Sequence, residues 1–244
     1  SKPENLTDLI SLVTEKELEV GLAFDGDADR LGVVSKEGKI IFPDMQMILF
    51  STSVLQRNEN AKIVFDVKCS KLLPEAIEEE GGTPIMSKTG HSYIKERMRQ
   101  ENALLGGEMS GHIFFNDRWP GFDDGIYAGA RLLEIISNLN EEEDVFNSLP
   151  ELVSTSEINL ATTDEEKFRI VEEFISKANY ENCTSILIDG VRIESETGWG
   201  LLRASNTSPN LVLRFEANTK ENLGLIKNKF KKTLSDINPS LGDF

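Results

Sequence analysis

Over the first two-thirds of the chain, apolar residues come in short runs separated by polar turns. Residues 20–24 and 31–34 read as strands on either side of an acidic loop, 25–30, and 62–67 reads as the next strand. Residues 70–80 have a helical pattern, and Gly81-Gly82 supplies the left-handed stop that a helix C-terminus favours. A strand over 83–88, a helix over 91–102 and a strand over 103–106 follow. A helix over 123–139 closes the region, with Ile126, Ala130, Leu133 and Ile136 at helical spacing. This alternation predicts α/β layers, in which helices cover the strands of a sheet.

Residues 138–150 break the pattern. They carry Glu141-Glu142-Glu143-Asp144 and end at Pro150, which makes them the best domain boundary in the sequence. The four acids read as a solvated linker, without a function of their own. Beyond them, 156–161 reads as a strand. Thr163 and Glu166 then have capping-box spacing ahead of a helix whose apolar face is Phe168, Val171, Phe174, Ile175 and Ala178. Strand-like runs at 185–188 with 191–193, 200–204 and 211–217 lead to a last helix presenting Leu223, Ile226, Phe230, Leu234 and Ile237. A helix, a meander of strands and a final helix predict a small α+β domain.

The balance of charges narrows the function. With 26 Lys+Arg against 42 Asp+Glu, the net charge is −16, which speaks against a general nucleic-acid or anionic-membrane binder. A local anion pocket remains compatible with that total. The two cysteines, Cys69 and Cys183, lie far apart and form no CxxC pair, as suits a reducing compartment. No apolar run is long enough to span a bilayer, and the first residues lack the pattern of a signal peptide. A cytoplasmic protein is the expectation.

Three loops carry candidate chemistry. Asp25-Gly26-Asp27-Ala28-Asp29-Arg30 places carboxylates at i, i+2 and i+4 with small spacers, so that a tight turn can aim all three inward. Carboxylates packed this closely repel one another, and a hard divalent cation resolves the repulsion. The loop is not an EF-hand, because Arg30 and Lys36 stand where Gly and Glu are needed. Nor does it fit a DxDx[TV] aspartyl-nucleophile pattern, since Asp29 fills the fifth place. Gly107-Glu108-Met109-Ser110-Gly111-His112 combines glycines for close backbone approach with an acceptor, a hydroxyl and an imidazole, which suits a polyol such as a sugar. Arg203-Ala204-Ser205-Asn206-Thr207-Ser208-Pro209-Asn210 holds a guanidinium, hydroxyls and turn-forming N–H groups, the parts of a phosphate cradle. Lys68, directly after a strand, could add a charge toward an anion.

Taken together and in this order, the three loops closely resemble those of the α-D-phosphohexomutases, and most nearly the phosphomannomutase/phosphoglucomutase branch. Asp66-Val67-Lys68-Cys69 and Thr89-Gly90-His91-Ser92 support the match, and Met109 with Asn206-Thr207 points to the branch. The resemblance implies mixed-sheet α/β domains followed by a smaller α+β C-terminal domain. It divides the chain into a partial domain two at 1–42, a domain three at 43–150 and a C-terminal domain at 151–244. It implies a Mg²⁺-dependent interconversion of hexose 1-phosphate and 6-phosphate, for glucose and mannose, through a phosphoserine and a 1,6-bisphosphate. Asp25, Asp27 and Asp29 would hold Mg²⁺, and Arg30 would face the reacting phosphate. Glu108, Met109, Ser110 and Gly111 would meet the sugar. Arg203, Ser205, Asn206 and Thr207 would clamp the phosphate that is not reacting. Lys68, His91 and His112 would line the cleft, with His112 assisting proton transfer.

The phosphoserine loop of that family has no counterpart here. The expectation is therefore a C-terminal part of a mutase, partnered by N-terminal domains of the same chain and inactive without them. Two other readings stay open at this point. One is a non-catalytic sugar-phosphate binding module; the other is a Mg²⁺-dependent sugar phosphatase, for which no nucleophile sits beside the metal loop.

Overall fold

The computed structural model describes residues 3–140 and 144–244, so Glu141, Glu142 and Glu143 of the expected acidic linker lie outside the described residues. Two compact units divide the chain, Ser1–Pro150 and Glu151–Phe244.

The first unit starts with helix α1 (Thr7–Glu15) and three strands, β1 (Val20–Phe24), β2 (Leu31–Ser35) and β3 (Ile40–Ile41). They form an antiparallel sheet in the order β1-β2-β3, with Phe24 opposite Leu31, so that residues 25–30 are the tip of a hairpin. Strand β2 is buried on both faces. Val34 packs with Leu6 and Val13, while Leu31 and Val33 join the main core with Met47 and Phe50. That two-sided burial explains why residues 31–34 are almost uninterruptedly apolar.

Helix α2 (Pro43–Leu55) follows, and the sequence reading assigns no element there. Pro43 opens it, where a missing N–H costs nothing. It is buried over most of its circumference and so shows no apolar stripe. Strand β4 (Lys62–Asp66), α3 (Leu72–Glu79), β5 (Thr83–Ser87), α4 (His91–Glu101), β6 (Leu105–Gly107) and β7 (Ile113–Phe115) complete a mixed sheet in the order β5-β4-β6-β7. Strands β5 and β6 run parallel to β4, and β7 is antiparallel to β6. Along β4 the side chains alternate between two buried faces: Val64 meets Ile94 and Met98 on the α4 side, whereas Ile63 and Phe65 meet Phe50 and Leu73 on the other. Helix α3 ends as Gly81-Gly82 implies, with Gly81 at φ 78° and Gly82 N–H donating to Ile77 O at 2.8 Å.

Helix α5 (Gly125–Ser137) closes the unit, but not on the face the spacing suggests. Ile126 and Leu133 are exposed, and Ala128, Gly129, Arg131 and Leu132 are buried. The helix is apolar nearly all round, so its period fits two faces, and the neighbouring core selects one.

The second unit is a six-stranded antiparallel sheet made of β8 (Val153–Ser154), β9 (Ile158–Ala161), β10 (Thr184–Ile186), β11 (Val191–Ser195), β12 (Gly198–Ala204) and β13 (Asn210–Ala217). The order is β10-β11-β12-β13-β8, with β9 also on β13. Helices α6 (Glu166–Lys177) and α7 (Lys220–Ile237) cover one face, where Ile170, Phe174, Phe230 and Leu234 pack on Leu202, Leu213 and Phe215. The face of α7 is the one its spacing implies. That of α6 holds for Val171, Phe174, Ile175 and Ala178 but not for Phe168, which is exposed while Ile170 is buried in its stead. Thr163 Oγ1 accepts from Glu166 N–H at 3.2 Å in the turn that leads into α6, whose N-cap position is Glu165, without a side-chain cap bond.

Candidate functional site

The hairpin tip 25–30 is shaped by its backbone before any ligand enters. Ala28 sits at φ 59°, an unusual conformation for a residue with a side chain, and its N–H donates to Asp25 O at 3.1 Å. Its carbonyl accepts from Gly125 N–H at 3.0 Å, at the start of α5. A Cβ on Gly125 would lie 2.7 Å from Arg30 O and 2.9 Å from Ala28 O, so only glycine lets the hairpin tip rest on the helix. Gly111, at φ 104°, brings the loop 107–112 to the same place: its carbonyl accepts from Leu31 N–H, and Arg30 bridges His112.

Carboxylate oxygens of Asp25, Asp27 and Asp29 lie within 4.8 Å of one another. Arg30 faces them, with Nε 3.0 Å from Asp25 Oδ2 and 3.6 Å from Asp29 Oδ1. One guanidinium opposes three carboxylates, and Asp29 Oδ1 is shielded from water without a hydrogen bond. An all-oxygen set with a surplus of negative charge fits a hard divalent cation such as Mg²⁺.

His112 stands beside this loop, with Nδ1 3.5 Å from Asp29 Oδ2 and 3.6 Å from Asp123 Oδ2. Burial pushes its imidazole below the usual histidine range, and Asp29 opposes that push. His91, at the N-terminus of α4, reaches the same carboxylate, with Nδ1 3.8 Å from Asp123 Oδ2, and the two imidazole centroids are 5.8 Å apart. Asp123 also faces Lys95 at 3.4 Å. Sequence reasoning took Asp123 only as the start of a helix; its position beside Asp124, whose side chain caps α5 through Tyr127 N–H at 2.8 Å, gave no further signal.

The rest of the sugar loop is less open than its composition suggests. Ser110 Oγ is buried without a hydrogen bond. Glu108 is 2% exposed, and its Oε1 accepts from Gly90 N–H at 2.6 Å. Burial first, then the Asp66 charge, raises its carboxyl to about 7, against the pull of Gly90, Lys68 and Arg30. Met109 N–H donates to Asp66 Oδ1 at 3.3 Å, and Lys68 is buried with Nζ 3.9 Å from Asp66 Oδ2.

In the second unit, Arg203, Ser205, Asn206 and Thr207 share the β12–β13 connection. Arg203 is 4% exposed; its Nε donates to Asp189 Oδ2 at 2.8 Å, and its Nη2 is buried without a hydrogen bond. Ser205 Oγ accepts from Thr207 N–H at 3.3 Å and Ser208 N–H at 3.2 Å. Those two amides, expected from sequence to form part of an anion cradle, are therefore turned onto the serine. The side chains of Asn206 and Thr207 are exposed.

Comparison with known proteins bears on all three loops. Three domain descriptions of phosphoglucomutase/phosphomannomutase match in order: alpha/beta/alpha domain II over residues 1–38, alpha/beta/alpha domain III over 42–155 and the C-terminal domain over 157–233. The phosphoglucomutase of Neisseria meningitidis serogroup A is 54% identical over 243 residues, covering 99% of this chain and 53% of that protein. The phosphomannomutase/phosphoglucomutase of Pseudomonas aeruginosa is 52% identical, covering 98% and 52%. A crystal structure of a phosphoglucomutase/phosphomannomutase family protein from Burkholderia thailandensis superposes with a TM-score of 0.92 at 46% identity, over 98% of this chain and 51% of that one. The chain thus spans about half the length of the relatives it matches.

Proposed function

The chain belongs to the phosphoglucomutase/phosphomannomutase family, and from that premise we propose that it serves a Mg²⁺-dependent transfer of a phosphoryl group between the 1- and 6-positions of glucose and mannose phosphates. The observation that carries this reading is the gathering of Asp25, Asp27 and Asp29 at one hairpin tip beside His112. Mg²⁺ bound there would withdraw charge from a transferring phosphoryl group, in a reaction that is mostly positioning and electrostatics.

The chain's own residues have separate tasks in this reading. Asp25, Asp27 and Asp29 hold the cation, and Arg30 offers its guanidinium to the same phosphate once Asp25 turns to the metal. His112, whose imidazole burial pushes below the usual histidine range, moves the proton of the reacting sugar hydroxyl. Ser110 and the backbone of Met109 and Gly111 present the loop to sugar hydroxyls, with His91 and Lys68 at its border. The second unit contributes Arg203, Ser205, Asn206 and Thr207 toward a phosphate. The chemistry is that of a hexose phosphate carried through a 1,6-bisphosphate, and this chain's part is to bind and orient it.

Titration calorimetry of the chain with Mg²⁺ tests the carrying observation. The expected result is one site, weakened at least tenfold in Asp27→Asn, because one of three anionic ligands is gone. Equal Mg²⁺ affinity in the two proteins would remove the metal from the hairpin tip and the reading with it.

A further inference from the structure

Behind the sugar loop lie two carboxyls that water does not reach. Asp66 is fully buried and Glu108 is 2% exposed. A buried carboxyl persists where donors meet it, and these two are met from different loops. Asp66, the last residue of β4, accepts from Met109 N–H at 3.3 Å, the Thr89 hydroxyl at 3.1 Å and the Cys69 thiol at 3.2 Å. Glu108 accepts from Gly90 N–H at 2.6 Å.

These bonds close a triangle. Strands β4, β5 and β6 run parallel, so the segments after them (66–71, 88–90 and 108–112) emerge at the same end of the sheet. Asp66 ties the first segment to the third through Met109 and to the second through Thr89. Glu108 ties the third to the second through Gly90. Each segment is bonded to both of the others, so none can shift alone without breaking a bond.

We propose that Asp66 and Glu108 are positioning residues, a two-carboxyl brace that holds the segments bearing Lys68, His91 and Ser110–His112 as one rigid platform for the sugar. The proposal deepens the reading above and gives Glu108 a structural task beside the sugar contact expected from its motif. The brace survives a change of protonation at Glu108, because a protonated carboxyl keeps a carbonyl oxygen that can accept from Gly90. It also explains how two carboxyls come to share a dry place despite their repulsion. Lys68 Nζ, 3.9 Å from Asp66 Oδ2, offsets part of the charge, and raising the Glu108 carboxyl to about 7 relieves the rest.

The test is amide hydrogen exchange of the 244-residue chain without sugar, read at amides whose own bonds are untouched. In Asp66→Asn the amide to watch is Gly90, held by Glu108; in Thr89→Val it is Met109, whose acceptor is still present. In each variant we expect exchange at that remote amide to rise about tenfold, the scale set by losing one hydrogen bond's worth of protection. Rates within twofold of the parent would show that the segments open independently, and would overturn the brace. Should Asp66→Asn fail to fold, the milder Thr89→Val decides the question alone. Glucose 1-phosphate and Mg²⁺ titrations of the folded variants separate positioning from general loosening. The brace requires weaker sugar-phosphate binding with Mg²⁺ affinity preserved, and loss of both together would overturn it. A parent chain that binds no glucose 1-phosphate would instead count against the sugar site, leaving the exchange result to judge the brace.

Discussion

The hairpin tip at 25–30 and the β12–β13 connection at 203–208 are both polar turns between antiparallel strands, yet they are finished differently. The second closes its backbone turn on itself: Ser205 Oγ takes two backbone amides and the Ser208 hydroxyl, and Arg203 Nε grips Asp189, although Arg203 Nη2 is buried without a hydrogen bond. The first does not. It gathers three carboxylates, sets one guanidinium against them and leaves a shielded oxygen of Asp29 without a donor. A turn that closes its own backbone hydrogen bonds is stable as built, whereas a turn with surplus negative charge is suited to a cation.

The sharpest way to break this comparison is Gly125→Ala. The new methyl would be driven into Arg30 O and Ala28 O, so the hairpin tip must move off α5. We expect a loss of about 2–3 kcal/mol in the first unit, the usual scale of overpacking, and Mg²⁺ binding weakened well beyond tenfold. Denaturant unfolding and calorimetry check the two effects, and a stable variant with full Mg²⁺ affinity would show that the contact with α5 does not set the loop.

A comparable effect should appear with pH at Glu108. Its folded carboxyl lies near 7, raised from 4.5, so the folded state holds the proton more tightly than the unfolded one. Its contribution to stability is full below the unfolded value and is lost as pH rises through the folded value. Between pH 4.5 and 7 the parent should lose on the order of 3 kcal/mol relative to Glu108→Gln, which has no proton to release. Parallel stability curves for the two proteins would contradict this.

The smallest effect belongs to the β12–β13 turn. Ser205→Ala removes the acceptor for Thr207 and Ser208 N–H, and about 1 kcal/mol of stability should go with it, confined to the second unit. The freed amides would then be open to an anion. Phosphate affinity unchanged or raised, together with lower stability, would sharpen the comparison; a variant of undiminished stability would erase it.

Much of this molecule is legible in its residues. The spacing of Asp25, Asp27 and Asp29 is a local property, because small spacers in a short hairpin let the three carboxylates turn toward one another. Gly81-Gly82 stops α3 for an equally local reason, a backbone conformation that glycine adopts without strain. The α/β alternation and the antiparallel meander after residue 150 follow from hydrophobic period alone. Helix faces were less legible. Ile126 and Leu133 on α5, and Phe168 on α6, have the right spacing for a core and lie in solvent, because an almost wholly apolar helix, or one with adjacent apolar positions, can be rotated at little cost in pattern.

The sequence by itself determined which side chains are candidates for the chemistry and which loops they sit on, since both depend on neighbours within a few residues. The tertiary structure alone decided how those loops meet. It brought Asp123 to His112, seated Ala28 on Gly125, turned Glu108 away from solvent onto Gly90 and made Asp66 the common acceptor of Thr89 and Met109. Those contacts join residues far apart in the chain, and no local pattern encodes them. The contacts of Asp66 and Glu108 exist because the parallel strands β4, β5 and β6 deliver distant segments to one end of a sheet, where buried carboxyls must find donors.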